Sequence, residues 1–129
     1  MPSTTIADYQ VLRDGSFTLE DGHNDVEFFN FTVPGDLHRG TSGQRKAILT
    51  FVLRPAENSE VTVQFHRTDV MLRRTFSASH TRMHQEVFDI NHALSTGGGV
   101  PDAGARVMFN VPVGKVIFSD VVIWYQIDR

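Results

Sequence analysis

Cysteine is missing from all 129 residues, which removes disulfides, thiolate nucleophiles and zinc–thiolate sites together. Small secreted domains commonly depend on disulfides, so this absence points to a reducing compartment or a bacterial source. No apolar run approaches the roughly 18 residues of a membrane-spanning helix. The first ten residues, MPSTTIADYQ, offer neither a basic n-region nor an apolar h-region, and the expectation is a cytoplasmic protein or one released without a classical signal peptide. Charge of one sign is also scarce. Twelve Lys and Arg stand against fifteen Asp and Glu, a net −3, and nothing in that balance recruits nucleic acid or an anionic membrane. Arg54, Arg67, Arg73, Arg74 and Arg82 make a mildly basic middle, but acidic residues flank them. G-x-S-x-G and P-loop motifs are lacking as well, and the expectation is a protein that is not an enzyme.

What is present is alternation. Apolar residues make up 40% of the chain and charged residues 21%, enough for a single domain over residues 1–129 with a core of its own. Apolar residues recur with period two. SFTL (16–19) sets Phe17 and Leu19 on one face, and VEFFNFTV (26–33) sets Phe29, Phe31 and Val33 against Val26 and Phe28. AILTFVL (47–53) is apolar on both faces. VTVQFHR (61–67) turns Val61, Val63 and Phe65 one way and Thr62, Gln64 and His66 the other. Further runs are DVMLRRTF (69–76), EVFDI (86–90), RVMFNV (106–111) and VIFSDVVIWYQI (116–127), the last long enough to bend or divide around Ser119-Asp120. Residues 81–94 also fit a helical spacing through Met83, Val87, Ile90 and Leu94, but the β-branched and aromatic centre favours a strand at 86–90. Turn-rich segments separate the runs, and TGGGVPDAG reads as a surface loop. The expected fold is all-β: an antiparallel β-sandwich of about eight strands.

Three stretches carry a resemblance. ILTFVLRPAENSEVTVQFHRTDVML, EVFDINHALSTGG and VMFNVPVGKVIFSDVVIWYQ follow one another in a rhythm that resembles the jelly-roll β-sandwiches of the galactose-binding-like and carbohydrate-binding-module type, over roughly residues 47–127. The glycine-rich GGGVPDAGARVMFN is longer than the corresponding loop of that pattern. The resemblance implies a jelly roll that binds saccharides on a sheet face or in edge loops, and often a structural calcium ion. Fold by itself does not determine function, since jelly rolls also build assemblies.

Candidate sites follow from the polar faces of the strands. Gln64 and His66, Arg73, and Arg106 and Asn110 alternate against apolar neighbours. On one sheet they would form a face of amides, guanidinium groups and an imidazole suited to sugar hydroxyls, or simply a solvated outer face. In VVIWYQI, Val121, Ile123, Tyr125 and Ile127 share one parity and Val122, Trp124 and Gln126 the other. Trp124 and Gln126 would then flank a ligand from outside, unless both faces of the strand are covered and Trp124 is core. The loop LEDGHNDVE (19–27) is dense in oxygen donors. Asp21, Asn24 and Asp25 are its candidates for calcium, and the resemblance adds Asp120 as the residue that would join them from the last strand. His80, His84 and His92 read as loop histidines, because on a strand His80 and His84 would lie about 13 Å apart. HTRMH also lacks the glutamate of a metalloprotease helix. A saccharide is the expected ligand and a homo-oligomer the expected state. The alternative is a structural or assembly subunit joined through a jelly-roll face, favoured by the two-sided apolar character of VEFFNFTV.

Overall fold

The computed structural model describes residues 5–32, 47–65, 71–77, 79, 82–90 and 104–128. His66, His80, His92 and the TGGGVPDAG loop, apart from Gly104, lie outside the described residues. Among the described residues nine strands run in chain order: β1 (Thr5–Arg13), β2 (Phe17–Glu20), β3 (Val26–Thr32), β4 (Ile48–Pro55), β5 (Ser59–Phe65), β6 (Met71–Phe76), β7 (His84–Asp89), β8 (Gly104–Val113) and β9 (Lys115–Asp128). All pairings are antiparallel. One sheet has the order β1-β9-β4-β7, with β2 also on β9; the other has β3-β8-β5-β6. The chain is thus a two-layer β-sandwich, the jelly-roll architecture its rhythm resembles. None of the described residues forms a helix long and apolar enough to cross a membrane.

The strand at 86–90 is observed as β7, so the helical spacing of Met83, Val87 and Ile90 does not set the local structure. Val87 instead pairs with Thr50 of β4, and Phe88 and Ile90 are buried. Burial beside β4 outweighs a helical stripe that would have no second layer to pack on. β1 is the strand the alternation above does not include. Its residues mix polar and apolar types, as suits an edge strand.

The inward positions follow the period of two. Phe29 and Phe31 of β3, Val107, Phe109 and Val111 of β8, and Val61, Val63 and Phe65 of β5 meet Leu49, Phe51 and Leu53 of β4 and the inner residues of β9. Five phenylalanines interlock at the centre. Phe109 lies 5.0 Å from Phe51, 5.4 Å from Phe118, 5.6 Å from Phe29 and 6.2 Å from Phe17, ring centroid to ring centroid. All four contacts are edge-on, the arrangement aromatic quadrupoles favour.

β9 changes parity halfway. Val116 and Phe118 are buried before Asp120; Val121, Ile123, Tyr125 and Ile127 are buried after it. Thr50 of β4 pairs with Val122, while Val52 pairs with Ser119, so two steps on β4 oppose three on β9. The extra residue is a β-bulge, and Asp120 takes a φ of 54° within it. One continuous strand can therefore pair with β2 through Lys115–Phe118 and with β1 through Val121–Asp128 on the same side.

Both open sides of the sandwich are laced by polar side chains. On one, the Gln10 amide of β1 donates to the Thr32 carbonyl of β3 at 2.6 Å and accepts from Thr32 N. On the other, Glu86 of β7 points inward, with one oxygen 3.4 Å from Arg74 Nε of β6 and the other 3.7 Å from His84 Nε2. An inward carboxylate on an edge strand also discourages pairing with another chain.

Candidate functional site

The bulge decides which residues of the last strand face out. Beyond it Trp124 stands on the outer face of the first sheet and is 42% exposed. Its register partners are Tyr9 of β1 and Ile48 of β4. Tyr9 is 55% exposed, and the two rings lie 5.3 Å apart at an interplanar angle of 38°. The indole Nε1 donates to the Thr50 hydroxyl at 2.8 Å. The indole is thus fixed by a hydrogen bond on one side and an aromatic neighbour on the other. A ligand that lands on it need not freeze the ring, which lowers the entropic cost of binding. Gln126 projects from the same face two residues along. Val11 of β1, Val122 of β9 and Val87 of β7 add apolar side chains on three strands, with Thr50 of β4 in register between Val122 and Val87.

Sequence reasoning anticipated Trp124 and Gln126 on the outer parity and Tyr125 in the core, and the structure places them so. It did not include Tyr9. The signal was present in ADYQVL, where Ala7, Tyr9 and Val11 alternate with Asp8, Gln10 and Leu12.

The other polar residues face a different direction. Gln64 of β5, Arg73 of β6, and Arg106 and Asn110 of β8 all project from the outer face of the second sheet, as their alternation implied. Asn110 pairs in register with Val26 on one side and Thr62 on the other, and Thr62 with Arg73. These residues and the Trp124–Gln126 pair do not make one site. The two outer faces are separated by the full thickness of the sandwich, about 10 Å between sheets plus the side chains. The single face imagined for all of them is therefore two faces. Arg106 is fixed on its own: its guanidinium carbon lies 5.2 Å from the Phe28 ring centroid, and its Nε donates to Asn30 Oδ1 at 3.3 Å. Arg73 Nε lies 3.7 Å from a Glu60 oxygen. The Oδ1 of Asn110 is buried and accepts no hydrogen bond from the described residues.

Of the oxygen donors expected to hold calcium, the three carboxylates Asp21, Asp25 and Asp120 are not grouped together. Asp21, Asn24 and Asp25 lie in the corner between β2 and β3. There the Asp21 N–H donates to the Gly114 carbonyl, the Asn24 carbonyl accepts from Glu20 N, and the Asp25 carbonyl accepts from Val111 N. Glu20 pairs with Lys115, both in register and through an ion pair of 3.6 Å. Asp120 lies five residues further along β9, about 16 Å of strand, and its carboxylate accepts from the Ser119 hydroxyl. Two backbone carbonyls of the corner are already engaged, and among the described residues no three His, Asp or Glu side chains could hold a metal ion together. Asp21, Asp25 and Asp120 therefore do not form a three-carboxylate group. Asp120 serves the backbone instead, since Asp tolerates the left-handed region better than most side chains. Accordingly Asp120→Gly should leave stability unchanged or slightly raised, while Asp120→Val should lower it by about 1–2 kcal/mol. Urea unfolding of the two variants measures this, and a large loss in the glycine variant would give the carboxylate a role the backbone does not explain.

No family model matches the sequence. No curated protein matches it either. Solved structures do. PorU from Porphyromonas gingivalis, in its dimeric latent form, aligns over 99% of this chain at 10% identity with a TM-score of 0.53, and this chain spans 13% of PorU. A family two carbohydrate esterase from Cellvibrio japonicus aligns over 98% at 14% identity with a TM-score of 0.40, with 34% of that chain covered. A family 29 carbohydrate binding module aligns over 94% at 12% identity with a TM-score of 0.41, with 89% of the module covered. The likeness to PorU is one of fold.

Proposed function

We propose that this chain is a non-catalytic, lectin-like carbohydrate-binding module, and that its binding platform is the Tyr9–Trp124 pair. The observation that carries the reading is the pair itself: two exposed rings side by side on the β1–β9 side of a sheet face, with the indole locked by Thr50. The C–H face of a sugar ring is apolar and packs on such a surface, while its hydroxyls need planar amide partners. Gln126 supplies the amide and the Tyr9 phenol a second hydrogen-bonding group. A glycan array of neutral saccharides, read with calcium and with EDTA, should give saturable binding under both conditions. Trp124→Ala and Tyr9→Ala should each weaken it by about tenfold or more. An array without hits, or variants that bind as the unaltered chain does, would overturn the reading.

A second reading uses the same face for self-association, as a structural or assembly subunit. Val11 and Val87 are more than half exposed beside the rings, which extends the apolar surface beyond what one sugar covers. It predicts a homo-oligomer at micromolar concentration, and light scattering that shows a monomer would remove it.

A further inference from the structure

We infer that the outer face of the β3-β8-β5-β6 sheet holds a second site, centred on Arg106, that takes the carboxylate of a uronate-bearing saccharide. The class of ligand rests on the carbohydrate-binding reading, but the site is independent of the Tyr9–Trp124 platform, which faces the opposite direction.

Charge is the first ground. The outward positions of these four strands carry three charged side chains among the described residues: Glu60, Arg73 and Arg106. Glu60 and Arg73 lie against each other, and Arg106 has no carboxylate partner among the described residues. The described residues thus leave one positive charge on this face, although the chain as a whole is net negative.

Geometry is the second. An exposed arginine normally samples many rotamers, and ordering it on binding is costly. Here the guanidinium already lies over the Phe28 ring and is tied through Nε to Asn30. With one face covered and Nε engaged, the Nη edge is what a ligand meets. A carboxylate matches two parallel N–H groups, which a hydroxyl does not. The surroundings suit a sugar rather than a free inorganic anion. Phe28 is 48% exposed and pairs in register with Met108, which pairs with Gln64, so an apolar strip ending in an amide lies alongside the charge. A pyranose ring bearing a carboxylate presents the same sequence of groups: an anionic edge, a C–H face and hydroxyls.

The test uses galacturonate, glucuronate and mannuronate oligosaccharides beside the same oligosaccharides with their carboxyls reduced to alcohols, titrated by calorimetry against the full chain. Binding of at least one acidic series is expected, about tenfold to a hundredfold tighter than its reduced form, and weakening as salt is raised. Arg106→Gln should remove that preference and Arg106→Lys should keep part of it, because a lysine retains the charge without the bidentate edge. Both changes are at the surface, and matching urea midpoints check that the fold is intact. Trp124→Ala should leave the acidic preference in place. Equal affinity for acidic and reduced forms, or an acidic preference that survives Arg106→Gln, overturns the Arg106 site and leaves the aromatic platform standing. Binding to no acidic oligosaccharide overturns the Arg106 site, and if the reduced series also fails, the carbohydrate reading goes with it.

Discussion

Gly114→Ala is expected to lower stability by about 3–5 kcal/mol, enough to abolish soluble expression of a marginally stable domain. Gly114 alone joins β8 in one sheet to β9 in the other, at a φ of 84°. A left-handed conformation costs a residue with a Cβ about 1–2 kcal/mol. The larger part comes from crowding. A Cβ here would collide with the Asn58 carbonyl oxygen and the Ser59 hydroxyl and lie 2.8 Å from Ser59 Cα. Two of these atoms are backbone and cannot rotate away. They belong to the corner between β4 and β5, which is stitched to the same place: Ala56 N donates to the Lys115 carbonyl, and the Ser59 hydroxyl accepts from Lys115 N. The corner between β2 and β3 arrives there too, through Asp21 N and the Gly114 carbonyl. Three crossings between the sheets thus share one crowded point. Gly22 supplies the control, because it has a φ of 79° but open space around its Cβ position. Gly22→Ala should lose only about 1 kcal/mol. Urea unfolding of both variants separates the close approach from the backbone strain, and equal losses would remove the crowding explanation.

Phe109→Ala should cost a similar amount, about 3–5 kcal/mol. Its ring is fully buried and touches the rings of Phe17, Phe29, Phe51 and Phe118, which come from both layers. Truncation opens a cavity where the two sheets meet, and the surrounding rings are held by their own strands and cannot collapse into it. Phe109→Leu should lose much less, because it restores most of the volume. Phe28, on the outer face of the same sheet and in register with Met108, is the comparison residue, and its replacement by alanine should change stability by about 0.5 kcal/mol or less. If the midpoints of Phe109→Ala and Phe28→Ala coincide, the central ring cluster does not hold the layers together.

The alternation of Val61, Val63 and Phe65, or of Val107, Phe109 and Val111, was enough to assign a strand and its inner face, because a period of two has one geometric solution when one side is buried. The same rule put Trp124 and Tyr125 on opposite faces before any partner strand was known, and left open whether the Trp124 face was covered. It also separated Gln64, Arg73, Arg106 and Asn110, whose common face comes from the order β8-β5-β6, from the inner residues of their own strands. These are properties of individual strands, and the chain carries them locally.

Parity says which residues share a side of a strand but not which strands share a sheet. Trp124 and Arg106 were both outward residues, and only the pairing of β9 with β1 and β4, and of β8 with β3 and β5, puts them on opposite sides of the sandwich. Tyr9 became part of a platform only when β1 lay beside β9. The acidic loop and Asp120 are both rich in oxygen donors, and the register of Glu20 against Lys115 puts Asp120 five residues further along β9. Asp120 itself turned out to set the parity of the strand through its bulge. What the sequence by itself determined is the strand content apart from β1, the inner and outer faces of those strands and the residue types available for recognition, since these follow from local periodicity. What the tertiary structure decided is which outer residues are neighbours, because strand order and register are fixed by packing between segments up to 123 residues apart.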